Sequence, residues 1–279
     1  MNLQGKTVLI TGATDGLGKQ VALLAAKAGA TVLLHGRDRA KAEPVLDAVR
    51  RAGSKDAELY LADLESLDEV RRLAAEVAAR HRRLDVLLNN AGILRAGEKP
   101  RAENAEGVEL HFQVNYLAPF LLTQLLLPLV RAAAPSRIVN VSSLGQAPID
   151  FDDVQLTRSY SGIQGYCQSK LAQIMFTIDL AKALAGSGVT VMSLHPATFM
   201  DTNMVVGQGL TAQSRVEDGA QATFALAFAP EHEGETGGFY DQFKPGQPNP
   251  QASDAGARRR LWDLSEKLTG LKAERAPSA

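Results

Sequence analysis

Residues 6–18 read KTVLITGATDGLG, in which a β-branched apolar run meets three glycines and then the start of a helical pattern. Glycines at this point let the backbone turn tightly and let a pyrophosphate approach the amino end of the helix, whose free N–H groups attract anions. Gly12, Gly16 and Gly18 have the spacing GxxxGxG rather than GxGxxG. The stretch predicts a strand, a phosphate-binding turn and a helix, while the glycines by themselves also fit a plain structural turn.

The same unit of strand and helix repeats along the chain. The predicted strands are residues 6–11, 31–35, 58–62, 85–89, 137–141 and 189–194, and the predicted helices are 17–28, 40–52, 67–81, 104–131 and 165–185. The strands are apolar throughout, as expected when both faces of a parallel sheet are covered. We predict the α/β class: a doubly wound parallel sheet of about seven strands with helices on both faces, in a single domain over residues 1–279.

Composition restricts the possible partners and compartments. Lys plus Arg is 30 and Asp plus Glu is 31, so no global field favours nucleic acid. Cys167 is the only cysteine, which excludes an internal disulfide and a thiolate cluster. The amino terminus lacks the pattern of a signal peptide, and the apolar stretch 119–130 is shorter than the ~20 residues of a spanning helix. We therefore expect a cytoplasmic protein with no membrane span.

The end of the second predicted strand bears on the choice of cofactor. A carboxylate there would accept from the ribose 2′-hydroxyl of NAD, whereas an arginine pairs with the 2′-phosphate of NADP. The segment reads LHGRD, so that Gly36 occupies the usual acidic position and Arg37 follows it. This pattern favours NADP, unless Asp38 pairs with Arg37 at the surface.

A tyrosine and a lysine stand four residues apart in the predicted helix 165–185. Tyr166 and Lys170 (YCQSK) would share one helix face, where an ammonium favours phenolate and draws the pKa of tyrosine from ~10 towards neutrality. Ser142 and Ser143 end the strand RIVNVSS, at the sheet edge where ligands bind. The spacing of Tyr166 and Lys170 alone also fits an exposed, solvated pair.

Five motifs in order resemble the short-chain dehydrogenase/reductase family over about residues 5–240. They are TGATDGLG, NNAG at 89–92, Asn115 in FQVNYLAPF, NVSS at 140–143 and YCQSK. The long gap between Ser143 and Tyr166 and the ending GGFYDQF with RRLWDLSEKLTG are most similar to the retinol dehydrogenase-like branch. The resemblance implies a Rossmann fold, with Tyr166 as acid/base and Lys170 lowering its pKa while holding the nicotinamide ribose. It also implies that Ser143 positions the substrate carbonyl, that Ser142 packs beneath Ser143, and that Asn115 completes a tetrad through a water.

The resemblance further implies a set of cofactor contacts and no metal. The expected contacts are Gly12, Thr14, Asp15, Gly16, Leu17, Gly18, Arg37, Asp63, Leu64, Asn90, Ala91, Gly92, Tyr166, Lys170, Pro196 and Thr202. One departure from the family stands in HPATFMDT, where Ala197 replaces the usual glycine. Alanine resists a positive φ, so the local backbone path is in question.

The expected reaction is hydride transfer between NADP(H) and a carbonyl or alcohol carbon. Residues 144–165 and the loop of about 199–216 should line the substrate pocket; the latter carries Phe199, Met200 and Met204, which fits either a lipophilic ligand or a lid packed on the core. An amphipathic helix at about 255–270 should dock on the fold, and a homodimer is possible. Two alternatives are a non-catalytic NADP-binding sensor or scaffold and a sugar epimerase or dehydratase, but the chain is short beyond Thr202 for an enzyme of the latter kind.

Overall fold

Eight strands form one sheet in the order β3-β2-β1-β4-β5-β6-β7-β8 in the computed structural model, which describes residues 1–96 and 100–274. The strands are β1 (Thr7–Ile10), β2 (Thr31–Gly36), β3 (Glu58–Leu61), β4 (Val86–Asn89), β5 (Ser136–Val141), β6 (Val189–His195), β7 (Phe239–Asp241) and β8 (Lys244–Pro245). Strands β1 to β7 are parallel, and β8 returns antiparallel to β7. The prediction of a parallel sheet with about seven strands is confirmed. The predicted domain of 1–279 includes residues 97–99 and 275–279, which lie outside the described residues.

Helices cover both faces of this sheet. They are α1 (Gly16–Lys27), α2 (Arg39–Ala52), α3 (Leu67–Arg80), α4 (Ala118–Ala132), α5 (Gly162–Ala183), α6 (Asn203–Val206), α7 (Val216–Phe228) and α8 (Ala255–Thr269). One apolar core joins the sheet to α3, α4, α5 and α8, and a second joins the opposite face to α1, α2 and α7. The doubly wound arrangement follows from these two cores.

The strand order reverses between β1 and β4, and this reversal positions the site. From β1 the chain proceeds outward to β2 and β3, and then returns so that β4 pairs with the other edge of β1. The loops after β1 and β4 therefore lead to opposite sides and leave a crevice at the carboxyl ends of the strands. In open α/β sheets this crevice is the usual binding place for ligands.

The helix predicted over 104–131 begins later than expected. The Asn104 side chain accepts hydrogen bonds from the backbone N–H groups of Glu106 (3.0 Å) and Val108 (2.9 Å), and Gly107 has a φ of 79°. This local turn competes with the helix, so helical structure starts only at residue 110. It then passes through a π-helical turn at Phe112–Leu117 before α4.

The carboxyl-terminal helix α8 docks on α4 and α5, as its amphipathic pattern predicts. Trp262 packs against Phe120 (ring centroids 5.4 Å) and Phe176 (5.8 Å). The Arg258 guanidinium donates to Asp179 at 2.6 Å. A buried aromatic contact and an ion pair thus hold α8 to α4 and α5, which cover this face of the sheet.

One stretch, Phe112–Ala132, has the length and apolar composition of a membrane-crossing helix. In this structure 83% of its most apolar window is buried inside the protein. A helix of the protein core meets the same criteria.

Replacing Trp262 with alanine should destabilise the fold by about 3 to 5 kcal/mol, because a large aromatic side chain leaves a cavity between Phe120 and Phe176. Urea unfolding at equilibrium measures this loss. Lys267→Ala, on the exposed face of the same helix, is the control and should change stability little. A Trp262→Ala variant as stable as this control would contradict the docking role of α8.

Candidate active site

The four residues of the predicted tetrad come from three elements that converge at the carboxyl ends of the strands. Asn115 lies in the π-helical turn, Ser143 follows β5, and Tyr166 and Lys170 lie in α5. The lysine Nζ is 5.7 Å from the centroid of the tyrosine ring. The structure therefore brings together residues that are up to 55 positions apart in the sequence.

Tyr166 and Ser143 form the pair that could bind a substrate oxygen. Burial raises the pKa of Tyr166 above its ordinary value, and the hydrogen bond with Ser143 opposes that effect without overcoming it. The Ser143 Oγ also accepts from the backbone N–H of Gly145 at 3.0 Å, which fixes its position. The phenol of Tyr166 is therefore protonated at neutral pH. The expected lowering of its pKa is not found in this structure, because desolvation of the phenolate outweighs the favourable contacts.

Lys170 is almost completely buried, with 3% of its surface exposed. Its Nζ donates to the Val141 carbonyl oxygen (2.8 Å) and to Gln173 Oε1 (3.1 Å). Burial lowers the pKa of Lys170 to about 7, since neither partner carries a negative charge to offset the lost hydration of the ammonium. At the pH where a phenol with a raised pKa titrates, Lys170 is already neutral, so it does not depress the pKa of Tyr166.

Asn115 uses its side chain to hold the loop after β4. Its Oδ1 accepts from Ile93 N (2.7 Å), and its Nδ2 donates to Ile93 O (3.1 Å) and Ser169 Oγ (3.0 Å). Gly92 lies between two tetrad members: a Cβ there would be 3.3 Å from Asn115 Oδ1 and 3.4 Å from Lys170 Nζ. Below them, the Ser142 hydroxyl donates to the Lys170 carbonyl at 2.7 Å, which is the packing position expected for this serine.

The glycine turn after β1 is held against the loop after β4. Thr11 Oγ1 accepts from the backbone N–H groups of Asn90 and Ala91, both at 3.0 Å, and the Asn90 side chain donates to the carbonyls of Thr11 and Gly12. Gly12 has a φ of 63°, and a Cβ there would be 2.9 Å from Ala91 Cα. The turn therefore requires glycine at this position, both for its backbone conformation and for the close approach of Ala91.

His35, at the end of β2, is a site residue that sequence reasoning missed. Its Nδ1 accepts from Gly12 N (3.2 Å), so its Nε2 carries the proton and donates to the Ala62 carbonyl (3.1 Å). Burial lowers the pKa of His35 to about 4, so the ring stays neutral and keeps this tautomer. Thr11 was missed as well. The only sequence signal for Thr11 and His35 is that each stands at the end of a predicted apolar strand.

The predicted phosphate contacts surround the first turn of α1. The backbone N–H groups of Leu17 and Gly18 have no intrahelical acceptor, because they precede the first complete helical turn. Asp15 caps the helix through Gly16 N (2.8 Å), and its other carboxylate oxygen accepts from Asn203 Nδ2 (2.6 Å). The Asp15 charge is thus partly engaged beside the turn. These N–H groups and the φ of 47° at Gly16 form a cradle suited to an anion.

A cavity of about 460 Å³ adjoins the turn on the β2 and β3 side. It is lined by Arg37, Asp38, Leu61, Ala62, Asp63, Glu69 and Arg72. Arg37 is 64% exposed and its guanidinium lies 3.4 Å from Glu65, whereas Asp38 caps α2 through Ala40 N (2.9 Å). In this structure Arg37 therefore pairs with Glu65 rather than with Asp38, the alternative that the sequence had left open. Glu69 and Arg72 of α3 were not predicted as site residues, because the helical pattern in the sequence does not show which strand end the polar face of this helix meets.

Asp63 and Leu64 follow β3 at the same edge. Asp63 lines the cavity, and its Oδ1 accepts from Glu65 N (3.0 Å), so it also shapes the local turn. The Leu64 carbonyl accepts from Gln113 Nε2 (2.9 Å), and the Leu64 side chain is buried. Thr14 is placed against Gly36, where a Cβ would be 2.3 Å from Thr14 Cγ2.

The segment after β6 brings the last two predicted contacts to the site. Thr202 packs on the glycine turn, since a Cβ on Gly16 would be 3.1 Å from Thr202 Cγ2. Pro196 and Ala197 pack on α7 beside Gly219. The left-handed residue of this segment is Phe199, with a φ of 42°, so the alanine at 197 does not oppose the backbone path.

The glycine turn, the cavity at the ends of β2 and β3 and the segment after β6 together fit a dinucleotide. A sequence model of the short chain dehydrogenase family matches residues 6–212. Retinol dehydrogenase 13 of Homo sapiens is 40% identical, with 97% of this chain and 86% of that protein covered, and human retinol dehydrogenase 14 is 39% identical, with 96% and 88% covered.

Solved structures agree with this result. An uncharacterised protein from Mycobacterium paratuberculosis superimposes with a TM-score of 0.81 at 33% identity, covering 99% of this chain and 97% of that one. A short chain dehydrogenase from Burkholderia cenocepacia J2315, determined in complex with NADP, gives a TM-score of 0.72 at 26% identity, covering 88% and 99%. The chain belongs to the short-chain dehydrogenase family of hydride-transferring oxidoreductases. Within it, the chain falls in the retinol dehydrogenase-like branch, and both predictions are confirmed.

Replacing Lys170 with methionine should stabilise the protein at low pH. Between pH 7 and 10.5 the unfolded chain binds a proton at Lys170 that the folded chain does not, so the burial penalty is full below pH 7 and fades as pH rises. At roughly 1.4 kcal/mol per pKa unit, less two lost hydrogen bonds, Lys170→Met should gain about 2 to 4 kcal/mol at pH 6.5.

Chemical denaturation at pH 6.5, 8 and 9.5 measures this gain. Lys182→Met, at an exposed position in the last turn of α5, is the control and should show no such trend. A stability difference for Lys170→Met that stays constant over this pH range would show that Lys170 is not a strained buried cation.

Proposed function

We propose that this protein reduces the carbonyl group of a lipophilic aldehyde or ketone with NADPH, and that Tyr166 is the general acid. The observation that carries the proposal is the Tyr166–Ser143 pair, which presents a protonated phenol and a hydroxyl at the crevice formed by the strand ends. A phenol that keeps its proton at neutral pH suits reduction, in which the substrate oxygen must receive a proton.

Side chains of this protein would bind the substrate oxygen and supply its proton. The hydroxyls of Ser143 and Tyr166 would donate hydrogen bonds to the carbonyl oxygen, which holds the substrate and polarises the C=O bond. When bound, NADPH supplies the hydride for the carbonyl carbon. As negative charge develops on the substrate oxygen, the Tyr166 O–H bond breaks and its proton passes to that oxygen. The products are an alcohol and oxidised cofactor, and the phenolate regains a proton from solvent.

Lys170 and Asn115 support this proton transfer. Near neutral pH part of Lys170 is protonated, and its ammonium, 5.7 Å from the centroid of the phenol ring, would favour the phenolate that forms when Tyr166 gives up its proton. Because the pKa of Lys170 is about 7, this lysine can itself gain or lose a proton near neutral pH. Asn115 fixes Ile93, and with it the loop on which Gly92 lies beside Lys170 Nζ.

The preference for NADP is supported by Arg37 and by relatives. Arg37 is exposed at the cavity beside the glycine turn, where its guanidinium could pair bidentately with a 2′-phosphate. The Burkholderia cenocepacia enzyme was determined with NADP and one from Escherichia coli with NADPH. Glu65 is a weak competitor for Arg37, since the pair is solvent-exposed and 3.4 Å apart.

A lipophilic substrate is supported by the distribution of exposed apolar side chains. Of the seven large apolar side chains exposed among the described residues, five lie in the two predicted pocket segments: Leu144, Ile163, Phe199, Met204 and Val206, at 36–55% exposure. Leu144 adjoins Ser143, and Ile163 is three residues before Tyr166. Met200 and Val205 of the same loop pack inward instead. Some side chains of the loop thus pack on the core, and others present an apolar surface at the site.

Tyr166→Phe should lower the turnover number roughly 100- to 10,000-fold and leave NADPH affinity nearly unchanged, because only the transferable proton is lost. NADPH oxidation at 340 nm, with lipophilic aldehydes, ketones, quinones and steroids as substrates, measures the rate, and cofactor fluorescence measures binding. Tyr60→Phe, whose hydroxyl pairs with Glu58 far from the tetrad, is the control. Tight NADPH binding by wild type with no turnover on any compound would instead favour a non-catalytic sensor or scaffold.

Arg37→Asp should invert the cofactor preference. A charge-assisted hydrogen bond contributes about 1.5 to 3 kcal/mol, so the ratio of kcat/KM for NADPH over NADH should fall roughly 10- to 100-fold or more. Arg39→Asp, two residues away and paired with Glu43, is the matched control and should leave the ratio within about threefold. An Arg37→Asp variant that still prefers NADPH would refute the assignment.

A further inference from the structure

A buried carboxylate and imidazole, Glu109 and His111, lie beside the tetrad without belonging to it. Both side chains have no exposed surface, and His111 Nδ1 is 2.6 Å from Glu109 Oε1. Buried polar groups at this depth are costly unless their hydrogen bonds are complete. The partners of this pair therefore indicate what it stabilises.

The hydrogen bonds of the pair define its protonation. The backbone N–H of Arg95 donates to His111 Nε2 at 3.0 Å, so that nitrogen must present a lone pair. The proton then lies on Nδ1 and is donated to Glu109. The second carboxylate oxygen of Glu109 accepts from Phe112 N at 2.8 Å, at the start of the helix, where the helix dipole favours a negative charge. His111 is thus a neutral ring held between a carboxylate and the backbone of Arg95.

This pair contacts the turn of α5 that carries the proposed general acid. The rings of His111 and Tyr166 meet edge to face, with centroids 6.4 Å apart and an interplanar angle of 85°. Gly165, the residue before Tyr166, lies directly on the pair: a Cβ there would be 2.9 Å from Glu109 Oε1 and 3.0 Å from His111 Nδ1. Gly162 packs even more closely, on the Arg95 carbonyl. The first turn of α5 therefore rests on Glu109, His111 and Arg95.

His111 and Asn115 act on the same loop. They are four residues apart, and each holds one backbone position of the segment after β4: Asn115 bonds both polar groups of Ile93, and His111 bonds the N–H of Arg95. Asn115 secures the end of this loop near Lys170, while His111 secures the end near Tyr166. One stretch of helix thus holds a single loop in place beside both Tyr166 and Lys170.

We propose that Glu109 and His111 are positioning residues that set the orientation of the Tyr166 phenol toward the substrate oxygen. Glu109 fixes the ring of His111, and His111 supports the edge of the Tyr166 ring and the loop at Arg95. Neither residue touches the reacting atoms. This inference rests on the proposed role of Tyr166 as general acid.

Three substitutions test this role. His111→Ala removes the ring and both hydrogen bonds, and should lower kcat roughly 10- to 100-fold, because a misplaced catalytic group loses rate steeply, while KM for NADPH stays within about twofold. His111→Gln keeps an acceptor for Arg95 and should recover part of the loss. Glu109→Gln keeps the size of the side chain and should have an intermediate effect. Circular dichroism and thermal unfolding confirm that each variant is folded.

The chain offers a matched control in His232. This residue makes the same kinds of contact, with Nδ1 2.6 Å from Glu235 Oε2 and an edge-to-face contact with Tyr240, but it lies in the short turn Pro230–His232 that precedes β7. His232→Ala should leave kcat within about twofold. A His111→Ala variant that is folded and as active as His232→Ala would overturn the proposal, as would a loss confined to KM.

A second readout needs no substrate and separates this inference from the proposed function. The ultraviolet titration of Tyr166 is obtained as the difference between each protein and the same protein carrying Tyr166→Phe. Loss of the His111 ring should admit water and move the Tyr166 midpoint toward its ordinary value, whereas His232→Ala should not. An unchanged midpoint in a folded His111→Ala variant would overturn the positioning role even if wild type shows no turnover, and that lack of turnover would count only against the proposed function.

Discussion

Thr11 Oγ1 accepts backbone hydrogen bonds from Asn90 and Ala91, and thereby joins the ends of β1 and β4 at the point where the strand order reverses. Two diverging loops must meet there, and Gly12 permits the approach because a side chain would collide with Ala91. The loop after β4 is thus held on one side by the glycine turn and on the other by Asn115. Both the cofactor cradle and the tetrad depend on this junction.

Burial rather than charge pairing sets the proton affinities in the site. Lys170 loses hydration without gaining an acidic partner among the hydrogen bonds of its Nζ, and its pKa falls to about 7. Tyr166 loses hydration too, and its pKa rises. In water the two groups have nearly equal pKa values, whereas in the site the phenol holds its proton more tightly than the lysine ammonium does, so Tyr166 stays protonated while Lys170 is partly neutral near pH 7.

The π-helical turn at Phe112–Leu117 separates two roles of one helix. The residues just before the turn, Glu109 and His111, pack on the first turn of α5, and Asn115 within the turn reaches the loop beside Lys170. The helix then continues as α4 into the apolar core against α8. Single π turns occur often at functional sites because the extra residue redirects side chains without breaking the helix.

The sequence by itself determined the βα alternation, the glycine turn and the spacing of Tyr166 and Lys170, because strands buried on both faces must be apolar and a tight turn needs glycine. These signals are local, so a single sequence carries them. The tertiary structure alone decided the placement of Thr11, His35 and Arg72 and the direction of the Tyr166 pKa shift. Each of these depends on desolvation and on hydrogen bonds between residues far apart in the chain, which no local pattern records.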